Sequence, residues 1–251
     1  MLLPIGDDNT GRGSTPYVVY TIIVLNAIVF LFFQSADPTG RGARFTSGYA
    51  TVPYEITHNE DLVQTRATRG EIPQTPGPSP IYLTILISMF MHGSWMHILG
   101  NMLYLWLFGD NVEDNFGHVK FVVFYVLAGI AATFAQIAVD PGSMIPSLGA
   151  SGAIAGVLGS YLLMFPRNRV RNLLFLGFIF TTVELPAVLV IGFWIVLQVV
   201  EQYISFVSPT ASRTGGVAYM AHIGGFAAGA LLTFLFRRRK KTYNSYDYYD
   251  R

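Results

Sequence analysis

Six stretches of mostly apolar residues divide this sequence, and each is close to the length of about 20 residues that a helix needs to cross a bilayer. These candidate spans are residues 17–33, 94–109 (preceded by an apolar approach, 81–92), 119–139, 148–165, a stretch within 186–206, and 217–236. Charged residues make up only 12% of the chain, against about 25% in a typical soluble protein. We therefore predict an all-α membrane protein, a polytopic bundle of six transmembrane helices.

The polar parts of the sequence lie outside these spans. Residues 1–16 are predicted to be a cytoplasmic N-terminal segment without the features of a cleavable signal peptide. Residues 17–236 would form the membrane domain, in which the loop 34–80 is either a folded external lid or partly ordered. Residues 172–183 are predicted to be an interfacial, extended segment. Residues 237–251 would be a basic and then Tyr-rich cytoplasmic tail.

Lys and Arg in short loops predict the orientation, because such residues concentrate on the cytoplasmic side. The loop after the fourth span carries Arg167, Arg169 and Arg171, and five basic residues, 237–241, follow the sixth span. Both ends of the chain are therefore expected in the cytoplasm. The compact six-span layout favours a bacterial plasma membrane, with an organelle membrane as the alternative.

Polar residues in three of the spans are the strongest functional signal. The second span carries His97 and Asn101, which share a helix face at i and i+4, and His92 lies just before it. The fourth span carries Ser151 and the sixth carries His222. Polar side chains inside a membrane are rare and usually face the bundle interior. In the predicted topology all of them lie in one layer near the outer face.

Two glycine patterns predict how the fourth and sixth spans meet. Gly152 and Gly156 form a G-x-x-x-G pattern, and Gly225 and Gly229 form another. Such patterns allow two helices to approach closely. His222 lies on the face of its helix that carries these glycines, so close packing would bring it within reach of the fourth span.

A serine beside a base is the arrangement of a nucleophile, because the base removes the hydroxyl proton. His222 would serve Ser151 in this way. The side chains of Asn101 and His97, together with the Ser151 backbone N–H, would supply donors to the oxyanion that forms on the attacked carbonyl.

Structural explanations exist for each residue taken alone. Ser151 could be a packing residue, His222 could bond a backbone carbonyl, and His97 with Asn101 could join helices. A metal site is disfavoured, because the sequence has no H-E-x-x-H motif and no cysteine. No cofactor is predicted, and the net charge of +1 argues against a nucleic-acid partner. A transporter is disfavoured by the lack of buried charge pairs and internal repeats.

Three motifs together resemble the rhomboid intramembrane serine proteases: FMHGSWMHILGN (90–101), GASG (149–152) and AHIGGFAAG (221–229). The resemblance implies a six-helix rhomboid-like core over about residues 80–240. It also implies roles for individual residues: Ser151 as nucleophile, His222 as general base, Asn101 and His97 as oxyanion donors, and His92, Gly149, Gly152, Gly225 and Gly229 as near-site or structural residues.

Two further positions bear on this resemblance. Glu113, within NVEDNFG (111–117), would brace the turn that follows the second span. Some bacterial members carry a tyrosine four residues after the serine, where this chain has Ala155. The orientation of His222 is therefore left open by the sequence.

The resulting expectation is a serine endopeptidase that cleaves single-span membrane proteins near the outer face of the bilayer. The alternative is a non-catalytic rhomboid-like protein that binds client transmembrane helices. Such relatives typically lack the serine or the histidine, and this chain has both. The sequence predicts contact with the lipid bilayer but no particular oligomeric state.

Overall fold

A computed structural model describes residues 2–35, 40–65, 75–176, 179–207 and 217–238. Within these ranges the chain forms three strands and ten helices. In order they are β1 (Leu2–Gly6), α1 (Tyr17–Gln34), α2 (Arg41–Tyr49), α3 (Pro53–His58), α4 (Leu62–Thr65), α5 (Ile81–Phe90), α6 (Trp95–Phe116), α7 (His118–Val139), α8 (Ser151–Met164), β2 (Arg169–Leu176), β3 (Ile179–Pro186), α9 (Ala187–Val207) and α10 (Tyr219–Phe236).

Four of these helices, α1, α7, α9 and α10, are long and apolar enough to cross a membrane, and α5 with α6 would form a fifth span that bends by 78°. The structure is thus that of a mostly helical membrane protein. The predicted fourth span corresponds to α8, which is apolar but has only 14 residues. The count of six spans accordingly stays a prediction.

The central helix of the bundle is α8. Ten consecutive residues, 152–161, are buried. Small residues allow this: a Cβ atom on Gly156 would lie 2.6 Å from the Cβ of Ala128 on α7, and one on Gly152 would lie 2.6 Å from that of Ala132. Because its neighbours shield α8 on all sides over these residues, it does not need the length of a helix that faces lipid.

A three-stranded antiparallel sheet, in the order β1-β2-β3, departs from the all-α prediction. Strand β2 follows α8 and β3 leads into α9, so the sheet lies at the end of the bundle away from Ser151. Leu3 pairs with Leu173, and Val170 pairs with Leu185. The described residues of the extended segment predicted at 172–183 therefore lie in β2 and β3, and the N-terminal segment supplies the third strand of the sheet.

Polar side chains tie the N-terminal segment to this end of the bundle. Asp7 accepts hydrogen bonds from Asn111 Nδ2 and the Tyr161 hydroxyl, both at 2.8 Å. Arg12 forms an ion pair with Asp110. These contacts give Asp110 and Asn111 polar partners, and α6 continues past the predicted end of its span to Phe116.

Glu113 is fully buried and lies inside α6 rather than in a turn. Its two carboxylate oxygens accept hydrogen bonds from the backbone N–H groups of Val18 and Val19, at 2.9 and 2.8 Å. His118 Nδ1 lies 2.6 Å from the same carboxylate. Because the first N–H groups of a helix lack intrahelical partners, Glu113 caps α1 and joins it to α6 and α7.

We expect Glu113→Gln to lower stability by about 2 kcal/mol, because one charge-assisted acceptor is lost while the side-chain shape is kept. The thermal unfolding midpoint in detergent measures this. The matched control is Glu184→Gln, since Glu184 is half-exposed and its one ion pair among the described residues, with Arg171 at 3.7 Å, contributes little. Equal midpoints for the two variants would contradict the capping role.

The described parts of the loop 34–80 dock against the segment that leads to Ser151. Thr51 and Ser147 exchange backbone hydrogen bonds of 3.0 and 2.8 Å. The Tyr54 N–H donates to the Ser143 carbonyl at 3.0 Å, and the hydroxyls of Thr51 and Ser88 lie 2.9 Å apart. These parts of the loop are folded, and they brace the segment before α8.

Within this loop, burial raises the pKa of Glu55, whose Oε1 accepts a hydrogen bond from the Leu62 N–H at 2.9 Å. The folded protein therefore holds the Glu55 proton more tightly than the unfolded chain does. The free energy of unfolding falls as the pH rises from below the pKa of Glu55 in the unfolded chain to above its raised pKa in the folded protein. Glu55→Gln keeps the acceptor without the charge. We expect its unfolding midpoint to exceed that of the wild type at pH 8 and to approach it at pH 4. A midpoint difference that does not change with pH would contradict this assignment.

Candidate active site

Ser151 is the first residue of α8, directly after a turn that depends on glycine. The Gly149 N–H donates to the Ser88 carbonyl at 2.9 Å. Gly149 has a φ of +131°, a conformation that residues with a side chain rarely adopt. The Ser151 N–H lies in the first turn of the helix, where backbone donors lack partners and negative charge is favoured.

His97 lies over this glycine turn. A Cβ atom on Gly149 would be 2.9 Å from His97 Nε2 and 3.6 Å from Ser151 Oγ, so imidazole and hydroxyl flank the same small space. The Gly93 N–H donates to His97 Nδ1 at 3.4 Å. Because that nitrogen acts as acceptor, the proton of a neutral His97 lies on Nε2, which makes Nε2–H a donor at this space.

Asn101 and His92 are buried polar residues with unmet hydrogen-bonding capacity. Among the described residues Asn101 Nδ2 has no partner, and neither has either ring nitrogen of His92. The His92 ring lies edge-on to that of His97, with centroids 5.0 Å apart. The backbone N–H of His92 donates a hydrogen bond to Gln34 Oε1 at 2.8 Å. Buried donors without partners are unusual in proteins and call for an explanation, such as a catalytic role.

The glycine patterns of α8 and α10 face each other, and these two helices pack most extensively of all pairs. A Cβ atom on Gly225 would lie 2.1 Å from the Gly152 carbonyl oxygen, and one on Gly229 would lie 2.1 Å from that of Gly156. At the end of the pair near Ser151, a Cβ atom on Gly152 would be 3.7 Å from the Ala221 carbonyl oxygen. The residues next to Ser151 and His222 are thus in contact.

His222 lies in the first turn of α10 and is buried, with 8% of its surface exposed. Its Nδ1 lies 2.7 Å from Gln198 Oε1 on α9, and its ring is 5.7 Å from that of Trp194. Within the described residues no hydrogen bond joins His222 to Ser151. Catalytic hydrogen bonds often tighten only when substrate binds.

Gln198 was not predicted as a site residue. The sequence could have indicated this residue, because Gln198 is the one amide side chain in the apolar run 187–200. Polar residues in such a run are costly unless they face a partner.

A cavity of about 30 Å³ adjoins Ser151. It is bordered by polar and small groups, including Thr51, Ser88, Thr133, Gly149 and Ala221. This volume holds about one water molecule, and the hydroxyl and backbone groups supply the partners that such a water needs.

No group of three or more His, Cys, Asp or Glu side chains among the described residues is arranged to hold a metal ion. The site contains a hydroxyl at a helix N-terminus, an imidazole on a helix packed against it, and amide, imidazole and backbone donors nearby. That set suits acyl transfer, in which a hydroxyl attacks a carbonyl and donors stabilise the oxyanion.

Comparisons with known proteins agree with the motifs. The chain is 31% identical over 153 residues to Rhomboid protein 1, mitochondrial, of Saccharomyces cerevisiae, covering 59% of this chain and 40% of the relative. It is 32% identical over 148 residues to the rhomboid protease GluP of Bacillus subtilis, covering 59% and 25%. It is 34% identical over 108 residues to the presenilin-associated rhomboid-like protein, mitochondrial, of Bos taurus, covering 42% and 29%.

The matched region spans about a quarter to two fifths of the length of these relatives. A family model described as the Rhomboid domain matches residues 81–239, which is more than half of the chain and includes α5 to α10. That range contains the glycine turn, the facing glycine helices and all the polar residues of the site. The chain belongs to the rhomboid family.

Proposed function

We propose that this protein is an intramembrane serine endopeptidase in which Ser151 and His222 form a catalytic dyad. The observation that carries the proposal is the backbone contact between α8 and α10, with Gly225 against Gly152. This contact brings the helix that starts with Ser151 against the first turn of the helix that carries His222. One relative, from Bacillus subtilis, is itself named a rhomboid protease.

In the first half of the reaction, Ser151 Oγ attacks the scissile carbonyl carbon while His222 Nε2 accepts the hydroxyl proton. The carbonyl oxygen becomes an oxyanion, which the Asn101 amide, the His97 Nε2–H and the Ser151 N–H stabilise. The carbon–nitrogen bond then breaks, and His222 gives the proton to the leaving amine. An acyl-enzyme on Ser151 results.

In the second half, a water molecule attacks the acyl carbon and His222 accepts its proton. The carbon–oxygen bond to Ser151 breaks, the proton returns to Ser151 Oγ, and the acid product leaves. Water therefore has to be available within the bundle. The cavity beside Ser151 has room for about one water molecule, and the Thr51, Ser88 and Thr133 side chains on its border offer that water hydrogen-bond partners.

Single-span membrane proteins are the proposed substrates, cut near the outer end of the span. Ser151, His97 and His222 all lie in the first turn of their helices, which supports a site near one end of the bundle. A peptide bond inside a helix is shielded, so the substrate has to unwind there before Ser151 reaches it.

We place the sheet end of the bundle, with Arg167, Arg169 and Arg171, in the cytoplasm and the active site toward the opposite side. The basic run 237–241 supports the same orientation, although residues 239–251 lie outside the described residues. The relatives come from mitochondria, a bacterium and a chloroplast. The bacterial plasma membrane therefore stays a prediction.

The test uses the full chain reconstituted in liposomes with a single-span reporter whose helix contains small residues near its outer end. We expect a cut within the outer third of the reporter helix, located by mass spectrometry of both products. A fluorophosphonate probe should label the protein at Ser151, as read from the modified peptide.

The same experiment discriminates the alternative, a protein that binds client helices without cutting them. That protein would co-purify with the reporter and leave it intact, and the probe would not label Ser151. Such a result would overturn the proposed enzyme.

A further inference from the structure

Gln198, on α9, makes the only hydrogen bond found for the His222 side chain among the described residues, at 2.7 Å from Nδ1. We infer that Gln198 is a positioning residue, which fixes the tautomer and orientation of His222 so that Nε2 is free to accept a proton. The inference rests on the proposed function and extends it to a helix that carries none of the predicted site residues.

The orientation of the Gln198 amide follows from its second contact. Gln198 Nε2 donates to the Trp194 carbonyl at 3.4 Å. The Trp194 carbonyl can only accept a hydrogen bond, so the amide group that faces it has to be the NH2 of Gln198. The other end of the amide, Oε1, then faces His222. Oε1 only accepts as well, so His222 Nδ1 has to carry the proton. In a neutral imidazole the other nitrogen, Nε2, then holds the lone pair that a general base uses.

The packing of α9 indicates that this contact is specific. The buried residues of α9 are Ala187, Val190 and Ile191, all in its first two turns. Gln198 lies about two turns beyond them, between the exposed residues Val196 and Val199. Packing against the core therefore does not explain why a glutamine stands at position 198. The buried imidazole of His222, which faces this side chain, does explain it.

Trp194 supports the same arrangement. It precedes Gln198 by one helical turn, its carbonyl holds the amide, and its ring lies 5.7 Å from the His222 ring at an angle of 37°. The imidazole is thus held at one nitrogen and along one side. No carboxylate makes a hydrogen bond to His222 among the described residues, so the neutral amide takes the place of an orienting acid.

The test compares three variants of the full chain in liposomes. Gln198→Met keeps the length and removes the acceptor, and Gln198→Glu keeps an acceptor at the same position. Gln202→Met, on the same helix one turn further on, is the matched control. We expect Gln198→Met to lower kcat about 10- to 100-fold with little change in KM, as for loss of a correctly oriented base. Gln198→Glu should keep kcat within about tenfold of the wild type, and Gln202→Met should not change it.

A second readout does not depend on turnover. In protein labelled with ¹⁵N-histidine, the His222 signals, identified by their loss in His222→Ala, should show a protonated Nδ1 and an unprotonated Nε2. In Gln198→Met the tautomer protonated at Nε2 should appear. An unchanged tautomer with wild-type kcat in Gln198→Met would overturn the inference, and so would an equal loss of kcat in Gln202→Met.

The two proposals fail separately. If Ser151→Ala cleaves the reporter as well as the wild type, the proposed function is wrong whatever the Gln198 variants do. If the wild type cleaves and Ser151→Ala does not, but Gln198→Met changes neither rate nor tautomer, only the positioning role is wrong.

Discussion

Ser151→Ala should reduce cleavage of the single-span reporter at least about 10,000-fold, because the proposed acyl-enzyme forms on the hydroxyl that this change removes. The hydroxyl is attached to the first residue of α8, so its removal should leave the helix and its buried face unchanged. Initial rates in liposomes measure the loss, and fluorophosphonate labelling should disappear with it. The unfolding midpoint should stay that of the wild type.

Ser160→Ala is the matched control, since Ser160 lies on the same helix and is buried against Thr233. It should keep probe labelling at residue 151. His222→Ala should lose nearly as much activity as Ser151→Ala, and the double variant should lose no more than either, because nucleophile and base act as a unit. Substantial cleavage by Ser151→Ala would contradict the nucleophile assignment.

The bounds of three apolar helices could be predicted closely because hydropathy is a local property of about 20 residues, whereas the count of six spans stays a prediction. The prediction 17–33 compares with Tyr17–Gln34, 119–139 with His118–Val139, and 217–236 with Tyr219–Phe236. The contact between α8 and α10 could also be predicted, because glycines spaced by four residues indicate the face on which a helix packs closely against another helix.

Features that depend on partners far away in the sequence could not be predicted in this way. Strand β1 forms only because it pairs with β2, about 170 residues later, and its own five residues include a proline. The helix α6 continues through Asp110 because Arg12 is paired with it. The same reason applies at the site: the role of Gln198 depends on which nitrogen of His222 faces it, and the sequence does not contain that geometry.

The contact between α8 and α10 is the feature whose loss should affect both stability and activity. A side chain on Gly229 would begin 2.1 Å from the Gly156 carbonyl oxygen and 2.4 Å from its Cα. Both are backbone atoms that cannot rotate away, so the helices have to separate. We expect Gly229→Val to lower stability by about 3 kcal/mol or more, since overpacking a dense core typically costs about 1–3 kcal/mol even where side chains can adjust.

Activity should fall together with stability in Gly229→Val, because Ser151 and His222 are carried by the two helices that are forced apart. The unfolding midpoint and the cleavage rate, measured on one preparation below its midpoint, test this. Gly192→Val on α9 is the matched control: a Cβ atom there meets nothing within 4 Å, so stability should stay the same or rise slightly, since glycine is a poor helix former. A Gly229→Val protein with wild-type midpoint and wild-type cleavage would mean that α8 and α10 do not touch through these glycines. The proposed dyad of Ser151 and His222 would then lose the helix contact on which it rests.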